Sequence, residues 1–342
     1  MSFEYIRRIP SPQEVLDAAP LPEPLKEVKE KRDREIRAIF HRESDRFFLV
    51  IGPCSADNED AVCEYVSRLA RLQDEVKDKI LLIPRIYTNK PRTTGEGYKG
   101  MVHQPDPQKL PNIVEGIYAI RKMHIRALKE SYLPAADEML YPGNLPYLED
   151  LLSYVAVGAR SVENQQHRLT ISGMEIPTGM KNPTSGDISV MLNSVYAGQQ
   201  SHVFIYNQWE VRTSGNPFTH AILRGAVDIY GRSIPNYHFE NLLSVAQAYM
   251  ERTMSNPMIV VDTNHSNSNK RYKEQPRIAM EVMQSRKHSP LLGDMVRGLM
   301  VESYLVEGAQ NIGENIYGKS ITDPCLGWKE TAAFVRELAD VV

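Results

Sequence analysis

The chain has few cysteines, no long apolar run, almost no net charge and no internal repeat, and each lack removes a class of protein. Three cysteines in 342 residues (Cys54, Cys63 and Cys325) cannot build a disulfide framework, and the odd count suits a reducing compartment. No stretch approaches the roughly 18 consecutive apolar residues of a membrane span. The opening segment MSFEYIRRIPSPQEV lacks the apolar core of a signal peptide, so a cytoplasmic location is expected. A net charge of −3 and a pI near 6.3 do not supply the basic stripe of a nucleic-acid binder. Neither nucleic acid nor membrane is therefore expected as a partner. No self-similar period and no low-complexity tract appears. What remains, with 42% apolar and 24% charged residues, is an ordinary globular composition.

Within it, eight short apolar runs recur: FFLVIGPC, ILLIPRIY, LPAADEML, YVAVGARS, EIPTGMKN, HAILRGA, MIVVDTNH and GLMVESY. The runs are continuous rather than alternating, as expected for parallel strands buried on both faces. Helical segments are expected between them at 59–76, 110–131, 145–153, 161–172, 187–198, 237–254, 275–287 and 327–340. Alternating strands and helices argue for βαβ units, and a (β/α)8 barrel needs roughly 250 residues. The expected fold is thus α/β: a (β/α)8 TIM barrel over 47–342, preceded by a partly helical N-terminal extension over 1–46. The extension carries the mixed-charge stretch PLKEVKEKRDREIRAIFHRES, read as a solvated helix face packed outside the barrel or against a second subunit. HVFIYNQWEVRTSGN breaks the rhythm and is read as an inserted β-hairpin, about 202–216, before barrel strand six.

The runs end in Cys54, Arg85, Glu138, Arg160, Lys181, Arg224, His265 and Glu302. Functional groups in such barrels sit at the C-terminal strand ends and in the loops that follow. Cys54, His265, Glu302 and Asp323 (in ITDPC) therefore make a candidate metal set. One thiolate, one imidazole and two carboxylates suit a single borderline divalent ion of the Mn, Fe, Co or Zn type. Their spacing forms no motif, so a buried thiol and a loop histidine bonded to its Ser and Asn neighbours remain equal readings of Cys54 and His265. Arg85, Lys90, Arg92, Arg160, Lys181 and Arg224 would face the same end of the ring. Two phosphates and a carboxylate carry about −4 to −5 charges, a load six cations balance. Each alone could be a surface ion pair. GEGYKG at 95–100 matches a dinucleotide fingerprint but has no strand before it and no helix start after it. Its glycines are better suited to a loop that approaches a substrate. Cys325 follows Asp323 closely, so a Cys54–Cys325 disulfide is a possible oxidised form of the metal-free chain.

GPCS (52–55), RIYTNKPRTT (85–94), GARS (158–161), GMKN (179–182), ILRG (222–225), DTNHSNSNK (262–270), VESYL (301–305) and YGKSITDPCLGW (317–328) together resemble the type I 3-deoxy-D-arabino-heptulosonate 7-phosphate (DAHP) synthase family. The resemblance implies the barrel, and a metal-dependent transferase that joins phosphoenolpyruvate to erythrose 4-phosphate at the start of the shikimate pathway of aromatic amino-acid biosynthesis. It implies Cys54, His265, Glu302 and Asp323 as metal ligands. Arg160, Lys181 and Arg224 would hold the phosphoenolpyruvate phosphate; Arg85, Lys90 and Lys181 its carboxylate and reacting end. Arg92 and Thr93 would take the sugar phosphate, and Glu138 would help place a water. Lys90, crowded by cations, is expected to have a lowered pKa and to shuttle a proton. A homodimer or homotetramer is expected. The hairpin is shorter than in feedback-inhibited members, and the loop GAVDIYGRSIPNYH after Arg224 is longer, which leaves any aromatic effector open. Two alternatives stand beside this reading. One is a 3-deoxy-octulosonate 8-phosphate synthase-like enzyme acting on arabinose 5-phosphate. The other is a non-catalytic regulatory barrel.

Overall fold

A computed structural model describes residues 2–92 and 95–342. Two helices come first, α1 (Pro12–Ala18) and α2 (Glu23–Phe40). Then follow β1 (Phe47–Gly52), α3 (Glu59–Val76), β2 (Ile80–Pro84), α4 (Ile113–Ser131), β3 (Ala135–Glu138), β4 (Leu152–Val157), α5 (Gln165–Ile171), β5 (Thr178–Lys181) and α6 (Ile188–Gly198). A hairpin of β6 (Val203–Tyr206) and β7 (Trp209–Arg212) precedes β8 (Thr219–Leu223). The short pair β9 (Ala226–Val227) and β10 (Ser233–Ile234) leads to α7 (Phe239–Met250) and β11 (Ile259–Asp262). The chain ends with α8 (Gln275–His288), α9 (Pro290–Met295), β12 (Val296–Glu302), the pair β13 (Val306–Ala309) and β14 (Lys319–Ser320), and α10 (Trp328–Val341).

Eight strands lie in the order β2-β1-β12-β11-β8-β5-β4-β3, and every pairing between them is parallel. A parallel bridge from Arg85 to Ala136 joins the two outer strands and closes the ring. This is a (β/α)8 barrel. Side chains alternate along each strand. On β1, Phe48 and Val50 point inward with Ile83, Ile222, Val260 and Met300, while Phe47, Leu49 and Ile51 face the helices. Both faces are buried, which is why the runs read as unbroken apolar segments. Close packing of the lumen requires small residues opposite large ones. A Cβ at Gly298 would lie 2.6 Å from the Phe48 ring.

The N-terminal helix is more than an outer layer. Ile36, Ile39 and Phe40, at helical spacing, are buried with the inward-facing barrel residues. The Phe40 ring meets Phe48 at 5.9 Å, Phe218 at 5.8 Å and the His220 ring at 5.1 Å, centroid to centroid. The last turn of α2 thus closes the N-terminal end of the barrel, while Glu23, Lys26, Glu27, Glu30 and Lys31 meet solvent and Lys29 pairs with buried Asp33. The helix expected at 145–153 does not form. Pro142 and Pro146 hold a 3-10 turn over Pro142–Tyr147, and β4 begins at Leu152. The expected hairpin is present; Asn207 and Gln208 at its turn both have positive φ, the geometry of a two-residue type I′ turn. Among the described residues no helix is long and apolar enough to cross a membrane.

Phe40→Ala should lower folding stability by about 3–5 kcal/mol, the usual cost of emptying a buried aromatic site. A urea titration followed by circular dichroism should show the midpoint fall. An unchanged midpoint would mean that α2 does not brace the barrel floor.

Candidate active site

The C-terminal rim gathers the strand-end residues. At one side, ligand atoms of Cys54, Glu302 and Asp323 all lie within 4.8 Å of one another. Cys54 follows β1, Glu302 ends β12, and Asp323 comes from the loop after β14. His265 stands at the edge of this group, its Nε2 3.9 Å from Glu302 Oε1. Its Nδ1 lies 2.9 Å from Asp262 Oδ2, close but without hydrogen-bond geometry, and Nε2 faces Glu302. Burial pushes the Cys54 thiol up to about 11, with the Glu302 charge adding to the rise. For Glu302 burial acts upward, but Arg85, His265 and Lys90 outweigh it and hold the carboxyl below its ordinary range. Asp323 behaves alike: burial is overcome by Lys90 and Lys270. The donor set and the nearby imidazole fit a borderline divalent cation.

Beside it lies a cavity of about 340 Å³, lined by Arg85, Lys90, Arg92, Arg160, Lys181 and Arg224. All six cations expected at one end of the ring are therefore together. Arg85 is buried, bonded through Nη2 to Glu302 at 2.8 Å and through Nε to the Pro53 carbonyl at 3.1 Å. Its Nη1 is buried without a partner. Lys181 donates to Asp262 Oδ2 at 3.0 Å. Burial and the nearby Arg160 charge together lower the Arg224 pKa, although Asp262 opposes them. Two arginines thus sit close enough to disfavour each other, as in a seat for a multiply charged anion. Arg92 is held by a bond from Nε to the Tyr98 carbonyl at 2.8 Å. Thr93 lies outside the described residues. Glu138 ends β3 and lines the same cavity. Among the described residues, GEGYKG lies in an irregular loop with neither a strand before it nor a helix after it.

The model of the DAHP synthetase I family matches residues 26–336. The chain belongs to the DAHP synthetase I family. The Phe-sensitive phospho-2-dehydro-3-deoxyheptonate aldolase of Escherichia coli K12 is 36% identical to it, covering 100% of this chain and 97% of that protein. The phospho-2-dehydro-3-deoxyheptonate aldolase of Corynebacterium glutamicum is 34% identical over 98% of this chain and 92% of its own. The structure of the Francisella tularensis SCHU S4 aldolase superposes with a TM-score of 0.91 at 31% identity, over 100% of this chain and 98% of that one.

Within this DAHP synthetase framework, one expectation fails. The Lys90 pKa is raised, not lowered. Burial does act downward, but the nearest charges are Cys54, Asp323 and Glu302, and they outweigh it. Lys90 Nζ donates to Cys54 Sγ and lies 3.6 Å from Asp323. It stands as a cation beside the candidate metal donors. Sequence reading also missed Asp262, which ties Lys181 to His265, and Lys270, 3.0 Å from Asp323 at the cavity wall. Both lie in DTNHSNSNK, where only the histidine was singled out. The position of Lys270 in the loop after β11 was signal enough to include it, whereas Asp262 is the last residue of the strand itself.

Gly158 makes room for Glu138: a Cβ there would lie 2.2 Å from Oε1. The obstacle is the end of a side chain, so Gly158→Ala should fold while displacing the carboxylate. Turnover is expected to fall by roughly ten- to hundredfold, the scale of an ångström-level misplacement. Steady-state rates alongside a thermal melt would check this. Unaltered turnover in a folded variant would remove Glu138 from the working site.

Proposed function

We infer that the chain condenses phosphoenolpyruvate with D-erythrose 4-phosphate and water, giving DAHP and inorganic phosphate, the first step of the shikimate pathway. The observation that carries this is the convergence of six cations on one cavity beside the Cys54–Glu302–Asp323 group. Arg160, Lys181 and Arg224 take the phosphate of phosphoenolpyruvate. The unpartnered Nη1 of Arg85, with Lys90 and Lys181, takes its carboxylate and reacting end. Arg92 and Thr93 receive the sugar phosphate.

Cys54, His265, Glu302 and Asp323 would hold one divalent ion of the Mn, Fe, Co or Zn type. When bound, such an ion supplies Lewis-acid polarisation of the aldehyde oxygen. The rest falls to side chains. C3 of phosphoenolpyruvate attacks the aldehyde carbon, and positive charge develops at C2. The cations fix the two substrates in that geometry and so remove the entropy of encounter. Glu138 orients the water that traps C2; one water proton goes to the oxygen of the former aldehyde, and the other leaves with the phosphate as the C2–O bond to it breaks and the C2 ketone forms. Lys90 keeps its proton and serves as charge rather than as base. With the metal absent, Cys54 and Cys325 could lose two electrons and two protons to dissolved oxygen and join as a disulfide; both are free buried thiols in this structure.

The chain works as a homodimer or homotetramer in the cytoplasm. Exposed Val203, Ile205 and Trp209 on the outer hairpin face, and Phe3, Tyr5 and Ile6 near the N-terminus, support self-association. Beneath the hairpin lies a cavity of about 540 Å³ lined by Phe204, Tyr206 and Val211 opposite Lys29, Asp33 and Arg37. Apolar walls facing both charge signs suit an aromatic amino acid, so the shortened hairpin retains the chemistry for an effector.

Phosphate release from phosphoenolpyruvate should require erythrose 4-phosphate, should not be supported by arabinose 5-phosphate, and should stop with chelator. Cys54→Ala should lose bound metal by elemental analysis as well as activity. No sugar-dependent release from the metal-loaded protein would leave the regulatory-barrel reading standing. For the effector cavity, Phe, Tyr and Trp should be titrated into the same assay. One of the three should inhibit, and Phe204→Ala should weaken that inhibition by roughly tenfold or more, as for a lost ring contact. Equal rates with all three would show that the cavity is not an effector site.

A further inference from the structure

Arg224 has no carboxylate partner among the described residues, yet its backbone is among the most tightly held on the rim. Three asparagines hold it. Asn182, just after β5, accepts the Arg224 N–H at 2.9 Å and donates to the Gly225 carbonyl at 2.8 Å. Asn236, from the long connection between β8 and α7 that carries β9 and β10, accepts the Gly225 N–H at 2.8 Å and donates to Asn182 Oδ1 at 3.1 Å. Asn267, in the loop after β11, donates to the Leu223 carbonyl at 3.2 Å and accepts the Asn236 N–H at 2.9 Å. Four main-chain groups from Leu223 to Gly225 are thus fixed by side-chain amides from three different loops. Gly225 has φ +75°, and a Cβ there would lie 2.7 Å from the Asn267 nitrogen, so this turn admits little else.

We propose that Asn236, acting with Asn182 and Asn267, is a positioning residue that sets the Arg224 guanidinium for the phosphate of phosphoenolpyruvate. The proposal rests on the reading of Arg224 as a phosphate ligand. Asn182 and Asn267 are buried, but Asn236 is only half-buried and arrives on a loop that passes over the cavity. Val227 and Ser233, on the same loop, line that cavity. Ser266 Oγ, next to Asn267, accepts from Arg224 Nη1 at 2.9 Å, so the network constrains both ends of the arginine. A purely architectural role would need no link from the loop to the residue that carries the charge.

The test is a double-mutant cycle on the metal-loaded enzyme. Asn236→Ala should raise KM for phosphoenolpyruvate by about tenfold, the loss expected when one charge-assisted contact is misaligned. The effect on KM for erythrose 4-phosphate should be much smaller. Inorganic phosphate, used as a competitive inhibitor, should weaken in parallel. In an Arg224→Ala background the further change from Asn236→Ala should shrink to less than about twofold, because coupled residues are not additive. Asp228→Ala, which loosens the loop tip through lost bonds to Tyr230 and Arg232 without touching the amides, should leave KM unchanged. Should Asn236→Ala fail to fold, Asn236→Ser carries the same cycle, since its hydroxyl cannot span both partners.

Full additivity, or an Asn236 effect confined to thermal stability, would overturn the proposal while Arg224 kept its role. If Arg224→Ala itself left KM for phosphoenolpyruvate unchanged, the phosphate reading would fail first and the positioning role with it.

Discussion

Mutual repulsion among the cations at the barrel mouth is the constraint to which the rest of the rim answers. Two unit charges ~6 Å apart at an effective dielectric of ~20 repel by about 3 kcal/mol. Six such groups on one small cavity would cost more than most domains have in reserve. The structure offsets this with carboxylates set behind the cavity wall. Glu302 pairs with Arg85, Asp262 with Lys181, and Asp323 with Lys90. Among the described residues, no carboxylate lies within ion-pair distance of Arg160, Arg224 or Arg92. The uncompensated charge is concentrated on these three, and it is there that anionic substrates lower the energy most.

That arrangement needs a rigid base, and the other end of the barrel supplies it. The lumen is filled from the floor by Phe40, Phe48 and Phe218, and higher up by Ile222, Val260 and Met300. Alternation along β12 puts Met300 inside the lumen and Glu302, two residues on, at the rim facing Arg85. The apolar core and the charged site are thus successive levels of the same strands. Stability gathers at the N-terminal end and chemistry at the C-terminal end, as the topology of this fold dictates. α2 belongs to the first level although it precedes the barrel in sequence.

The eight strands and their charged ends were legible because buried parallel strands leave continuous apolar runs, and the first polar residue after each run marks the rim. Cys54, His265, Glu302, Arg85, Arg160, Lys181 and Arg224 followed from that rule, whereas Lys90, Arg92 and Asp323 came from the loops beyond the strands. What was not legible depends on neighbours rather than on position. Lys90 was expected among cations, but folding places Cys54, Glu302 and Asp323 nearer, and the sign of its pKa shift reverses. Asp262 was passed over because it lies inside the run MIVVDTNH, where a carboxylate gives no hint that Lys181 and His265 flank it. The floor-plugging turn of α2 was hidden by the charges around Ile36, Ile39 and Phe40. The missing helix at 145–153 has a local cause, two prolines in a short connection.

The contrast between Lys181 and Arg224 shows two ways of fixing a cation. Lys181 is held by a carboxylate, Asp262, which orients the ammonium but also cancels much of its charge. Arg224 is held through its backbone by neutral amides and through Nη1 by a hydroxyl, which orient it and leave its charge intact. Burial and Arg160 already disfavour that charge, but a carboxylate clamp there would gain order at the expense of the attraction the site depends on. Amide dipoles avoid the conflict, but each must satisfy both a donor and an acceptor when buried. A single asparagine could not meet four main-chain groups. Three interlocked ones can, and this requires the β8–α7 connection to reach back across the rim with Asn236. The length of that connection is what lets a preorganised arginine keep its charge unpaired.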